Sequence, residues 1–112
     1  MNQFDEIFDY VVVGSGAGAM CAALVMARAG KSTLILEKTA VVGGTTARSG
    51  GAMWIPNNRY MKRDGIADSA ERAMAYLDDL VGDDPTAPGA SRERREKFVT
   101  AAPRMIDFIA DQ

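Results

Sequence analysis

The chain has 112 residues, enough for one domain of ordinary size or one piece of a larger one, and its 47% apolar and 25% charged residues make a globular composition. A net charge of −2, with both signs interspersed, offers no electrostatic footprint for nucleic acid or an anionic membrane. There is no histidine, so a Ser-His-Asp triad and the usual His/Cys zinc sites are excluded within these residues, and no metal is expected.

The single cysteine, Cys21, has no internal disulfide partner and suits a reducing compartment, so a cytoplasmic location is expected. Asp5, Glu6 and Asp9 stand where a secretory signal would be basic. Tyr10 to Ala27 carries no charge over 18 residues, but Gly14, Gly16 and Gly18 break it into a strand and a helix, so no membrane span is expected.

Tyr10-Val11-Val12-Val13 is a β-branched run whose continuous apolar character suits a strand buried on both faces. Ala17 to Ala29 reads as a helix that is apolar almost all round, as in the interior of a larger protein, with Gly30 as its stop. Thr33-Leu34-Ile35-Leu36 is a second buried strand closing at Glu37, which completes one βαβ unit over residues 9–37. Residues 38–66 are glycine-rich and irregular, a loop long enough to be functional, with a turn at Pro56-Asn57-Asn58.

Asp68 or Ser69 caps a helix running to about Val81, striped by Ala70, Ala73, Met74, Leu77, Leu80 and Val81 and ended by Gly82. Asp83 to Gly89 is a connector with two prolines. The charged run Arg92 to Lys97 reads as a solvated helix face, and Pro103 is expected to start a new helix as a first-turn residue. Tyr60 reads as an ordinary loop tyrosine, Cys21 as a small core residue, and Met20, Met26, Met53, Met61, Met74 and Met105 as filling or scatter. Arg48 is open to a phosphate or to an acidic neighbour.

Two segments carry chemistry. Gly14-Ser15-Gly16-Ala17-Gly18-Ala19 is a G-x-G-x-x-A form of the dinucleotide fingerprint. Gly14 permits the tight turn out of the strand, Gly16 lets a pyrophosphate approach the backbone, and Ala19 lets the helix pack close. The helix N-terminus presents free N–H groups to the phosphates. Glu37, 18 residues after Ala19, stands where a carboxylate accepts from the ribose hydroxyls of the adenosine half, and it would repel the 2′-phosphate of NADP.

The second segment is Val42-Gly43-Gly44-Thr45-Thr46-Ala47-Arg48-Ser49-Gly50-Gly51. The two segments hold seven of the eleven glycines. Bare backbone beside Thr45, Thr46 and Ser49 is able to donate to a diphosphate or a flavin edge.

Gly14 to Ala19, Glu37-Lys38, Gly43 to Thr46, Ser49-Gly50-Gly51 and Trp54-Ile55-Pro56-Asn57-Asn58 together resemble the fumarate reductase/succinate dehydrogenase-type FAD flavoproteins. Gly50 to Asn58, Lys62-Arg63-Asp64-Gly65 and Ala73 to Asp83 resemble, within that group, the 3-ketosteroid Δ1-dehydrogenase branch. The resemblance implies an α/β fold, an incomplete Rossmann-type FAD/NAD(P)-binding βαβ unit followed by helices over 67–112. It implies FAD as the cofactor, with Gly14, Ser15, Gly16, Ala17 and Gly18 at the pyrophosphate, Glu37 at the ribose and Lys38 beside the adenine. It further implies Gly44, Thr45 and Thr46 on the diphosphate and ribityl side, and Ser49, Gly50 and Gly51 near the isoalloxazine ring.

Such enzymes pass a hydride from substrate carbon to the flavin while a tyrosine acts as base. They are several times longer, so residues 1–112 are expected to be the N-terminal part of an FAD-binding domain, inactive alone. The catalytic residues and substrate domain are then expected on a missing C-terminal polypeptide. The expected substrate is a small steroid-like molecule. The alternatives are a fumarate-reductase-like flavoprotein acting on a dicarboxylate and a non-catalytic remnant of a truncated or split gene.

Overall fold

The computed structural model describes residues 5–83, 86 and 88–112. Among them the order is β1 (Tyr10–Val13), α1 (Ala17–Arg28), β2 (Thr33–Leu36), α2 (Gly44–Arg48), α3 (Arg59–Arg63), α4 (Ala70–Val81), a 3-10 turn (Pro88–Ala90) and α5 (Arg92–Ala110). The chain divides into two compact units, residues 1–52 and 53–112. It is an α/β chain.

In the first unit β1 and β2 are parallel, with Tyr10 opposite Thr33 and Val13 opposite Leu36, so α1 is the crossover that parallel pairing requires. The register is clipped at the strand entrance. Asp9 Oδ2 accepts from the Ser32 N–H and hydroxyl, both at 2.9 Å, and the Asp9 N–H donates back to Ser32 Oγ. At the far end the Gly14 N–H donates to Leu36 O at 2.7 Å.

The end of α1 shows why Gly30 stops it. Gly30 has φ +75°, its N–H reaches Ala27 O, and the Lys31 N–H reaches Met26 O, the paired bonds of a Schellman motif.

Full burial of the strands is not what this chain shows. Val12 and Ala23 are buried where α1 lies on the sheet, but Val13 is 83% exposed and Val11, Ile35 and Leu36 are exposed too. Met20 and Val25 on α1 are also exposed, and Cys21 is half-buried rather than core. A single helix shields one face of a two-stranded sheet, so residues suited to a doubly covered sheet meet solvent.

Within residues 38–66 the structure adds two short helices, α2 and α3. Asn57 takes φ +52°, a left-handed value that asparagine tolerates better than most residues, and Asn58 caps α3 by accepting from the Tyr60 and Met61 N–H groups. Tyr60 is therefore a helix residue, with the Arg63 guanidinium 5.4 Å from its ring centroid. Asp68 and Ser69 share the work at the start of α4. Ser69 Oγ accepts from the Arg72 N–H, while Asp68 Oδ2 accepts from the Asn57 N–H and ties the turn down.

In the second unit α4 packs on α5, with Ala73, Val99 and Ala102 buried. Trp54 stacks on Phe98, ring centroids 5.9 Å apart and 7° from parallel, and its other neighbour is Tyr76 at 5.6 Å. Of the proline connector, Pro85 lies outside the described residues.

Two expectations for α5 are corrected. The run Arg92 to Lys97 is not wholly solvated, because Arg95 is only 5% exposed. Its guanidinium donates to Asp78, Asp83, Gly82 O and Ala90 O, which joins the end of α4 to the start of α5. Pro103 does not begin a helix; α5 runs through it from Arg92 to Ala110. The helix is held on both sides of the proline, by buried Val99 and Ala102 and by Arg59, which pairs with Asp111 at 2.6 Å. Packing outweighs the lost amide donor.

An interior helical proline has a measurable cost. Pro103→Ala should stabilise the full chain carrying this sequence by about 1–3 kcal/mol in urea unfolding. A neutral or destabilising result would indicate that α5 gains nothing from an N–H at this position.

Candidate cofactor site

The first unit gathers the two glycine segments and the end of β2. Gly14 turns the chain out of β1 with φ +95°, a value that a side chain disfavours. Ser15 follows and is 2% exposed. Gly16 is the N-cap of α1 and makes no side-chain cap. The first helical bond is from the Met20 N–H to Gly16 O, so the N–H groups of Ala17, Gly18 and Ala19 lie at the open end of the helix. Thr46 Oγ1 accepts from the Ala17 N–H at 3.2 Å.

Ser15 ties this turn to two other segments. Its hydroxyl donates to Glu37 Oε2, and the same oxygen accepts from the Gly43 N–H at 2.8 Å. Glu37 Oε1 accepts from the Thr39 N–H at 2.9 Å and the Thr39 hydroxyl at 3.0 Å. Hydrogen bonding to the charged form, from Ser15 first and then Thr39, lowers the Glu37 pKa to about 2. The group is a carboxylate throughout the neutral range.

Gly43 is N-cap of α2 at φ +108°, and a Cβ there would come within 2.6 Å of the Ala47 Cβ, so the local backbone itself demands glycine. Gly44, at φ +53°, brings its missing Cβ position within 3.7 Å of the Gly16 backbone. Gly16 is a different case. Its φ is −67°, and a Cβ would meet nothing closer than Thr46 Oγ1 at 3.8 Å. The protein alone leaves room for a side chain there. At Gly18 and Gly50 a Cβ would have no atom within 4 Å, and neither residue has a positive φ.

Of the expected site residues, Gly14, Ser15, Gly16, Ala17, Glu37, Gly44 and Thr46 are thus brought together. Ser49 lies at the end of α2, donating to Thr46 O at 2.8 Å and accepting from the Gly51 N–H at 3.0 Å. Gly50 and Gly51 continue from it. Gly18 is in the first turn of α1. Lys38, Thr45 and Arg48 make no side-chain hydrogen bond or ion pair within the described residues, which leaves both readings of Arg48 open. Thr39 was absent from the expected set. A threonine two residues beyond a carboxylate is the signal that could have found it, since such hydroxyls readily bond locally.

Among the described residues no group of His, Cys, Asp and Glu is placed to hold a metal, and no helix is long and apolar enough to cross a membrane.

A bare glycine turn at a helix N-terminus, with an ionised carboxylate closing the next parallel strand, is the arrangement of a dinucleotide-binding protein. Residues 9–112 match the family model described as FAD binding domain, and the chain belongs to that family. It is 47% identical over 102 residues to a 3-oxosteroid 1-dehydrogenase of Mycobacterium tuberculosis, covering 91% of this chain and 17% of that protein. It is 53% identical over 78 residues to a urocanate reductase of Eggerthella lenta, covering 67% of this chain and 13% of that one. Among solved structures, the 3-ketosteroid Δ1-dehydrogenase of Sterolibacterium denitrificans, in complex with 1,4-androstadiene-3,17-dione, has a TM-score of 0.74 and 41% identity, over 91% of this chain and 17% of that one. The chain therefore spans about a sixth of each of these two dehydrogenases.

The lowered Glu37 pKa has a consequence for stability. A carboxyl whose folded pKa lies below its usual 4.5 contributes stability that is present above that value and lost as pH falls toward 2. Wild type should therefore melt above Glu37→Gln at pH 6, and the gap should close between pH 4.5 and 2. A gap independent of pH would contradict the ionised, bonded carboxylate.

Proposed function

We propose that residues 1–112 form the dinucleotide-holding part of a Rossmann-type FAD site in an enzyme that dehydrogenates a 3-ketosteroid-like substrate. The observation that carries this is the room for a Cβ at Gly16, which the protein itself does not fill. Glycine there is explained by a ligand approaching the backbone. Family membership identifies that ligand as FAD. The bound flavin supplies a hydride acceptor for substrate carbon.

The chain's own residues hold the cofactor. The backbone of Gly14, Ser15, Gly16, Ala17 and Gly18 would hold the pyrophosphate, and the open N–H groups of Gly18 and Ala19 would meet its charge. On Glu37 the Thr39 N–H and Ser15 hydroxyl each take one acceptor site, on Oε1 and Oε2 respectively, which leaves a site on Oε2 for a ribose hydroxyl. Lys38 would lie beside the adenine. Gly44, Thr45 and Thr46 would hold the diphosphate and ribityl side, and Ser49, Gly50 and Gly51 would meet the isoalloxazine ring.

In this reading the segments are βαβ 9–37, flavin loop 38–66 and helical part 67–112, with substrate domain and catalytic base supplied by further polypeptide. A cytoplasmic enzyme accords with the lone Cys21. The urocanate reductase match supports a second reading, reduction in place of dehydrogenation.

The full chain, meaning residues 1–112 joined to that further polypeptide, should be yellow as isolated and should oxidise a 3-ketosteroid with an artificial electron acceptor. Reduction of an unsaturated carboxylate by the reduced enzyme, with no steroid turnover, would favour the second reading. Gly16→Val should give folded protein without the flavin spectrum, and full flavin occupancy would contradict the contact that carries the proposal. Glu37→Ala should weaken FAD by roughly tenfold to a hundredfold, the range for a hydrogen bond to a charged group. Unchanged affinity would remove Glu37 from the site.

A further inference from the structure

Ser15 stands in the phosphate-facing turn, yet its hydroxyl is committed elsewhere. Phosphate oxygens only accept hydrogen bonds, and the one hydroxyl proton of Ser15 goes to Glu37 Oε2. The oxygen accepts from the Gly43 N–H, and the side chain is shut away from solvent at 2% exposure. Its partners are 22 and 28 residues distant in sequence. One leads to the carboxylate at the end of β2 and the other to the N-cap of α2.

We infer that Ser15 is a positioning residue whose buried hydroxyl sets the ribose acceptor Glu37 and the second glycine segment together, before the dinucleotide arrives, and that its side chain is not a phosphate ligand. The inference rests on the FAD reading above but assigns a role which that reading does not contain. Three features support it. The Ser15 proton orients Oε2, so the remaining acceptor site on that oxygen has a fixed direction. The bond from Gly43 places the start of α2 against the first turn, where Thr46 Oγ1 meets the Ala17 N–H. Thr39 bonds the other carboxylate oxygen, so Glu37 is held from both sides. A preorganised acceptor binds more tightly than one that must be ordered by its ligand.

The test uses the full chain with FAD removed, ADP as a probe of the adenosine half, FAD as the whole ligand, and the carboxyl carbon resonance of Glu37. In wild type Glu37 should stay ionised from pH 7 to about 3, above its folded pKa of about 2. In Ser15→Ala its midpoint should move up toward 4.5, and ADP and FAD should each bind about tenfold more weakly. In the Glu37→Gln background, Ser15→Ala should cost ADP less than about threefold further, because the partner it orients is already altered. An unmoved Glu37 midpoint in folded Ser15→Ala, or full additivity of the two substitutions on ADP, overturns the positioning role. Wild type that binds neither ADP nor FAD fails the FAD reading and takes the inference with it, which separates the two failures. If Ser15→Ala does not fold, Ser15→Cys keeps the side-chain size with a weak donor and is read by the same criteria.

Discussion

The hydrogen bonds of the Ser15 hydroxyl join three pieces of chain: the turn after β1, the end of β2 and the start of α2. Because the side chain is buried, the exchange with water that weakens such bonds at a surface is limited, and leaving any partner unmade is costly. No buried side-chain polar atom lacks a partner among the described residues. The local geometry depends on this junction: Ser15 and Thr39 hydrogen-bond the Glu37 carboxylate and hold its pKa below the usual value, and α2 starts where Gly43 reaches Ser15.

The two glycine segments serve this geometry for different reasons. Gly14 and Gly43 are required by the backbone, which takes left-handed angles at both, and at Gly43 a Cβ would strike Ala47. Gly16 is in an ordinary conformation with space around it. The first kind of glycine builds the loop, and the second is not demanded by the protein's own backbone or packing. Composition alone does not separate them; φ angles and neighbouring atoms do.

The exposed Val11, Val13, Ile35 and Leu36 of the strands belong to the same account. A parallel pair with one crossover helix has one covered face, and Val11 and Val13 lie exposed while Val12 is buried. The residue types suit a sheet covered on both sides, and the chain spans about a sixth of each of those two dehydrogenases. The α4–α5 unit differs, since it buries Ala73, Val99 and Ala102 and neutralises Arg95 within its own length.

Much of this was legible in the residues. The bounds of β1, β2 and α4, the Gly30 and Gly82 stops and the Ser69 cap follow from local rules, because β-branched runs, capping hydroxyls and left-handed glycines act over a few positions. The spacing from the glycine turn to Glu37 was equally local to one βαβ unit. What tertiary structure alone decided involves partners distant in sequence. Pro103 continues a helix because residues on both sides of it are anchored, and Arg95 is buried because two aspartates from the end of α4 and the connector reach it. Ser15 bonds to Glu37 because strand pairing brings position 37 beside position 15. A residue's local propensity is written in its neighbours along the chain, whereas the destination of its hydrogen bond is set by the packing that gathers distant segments.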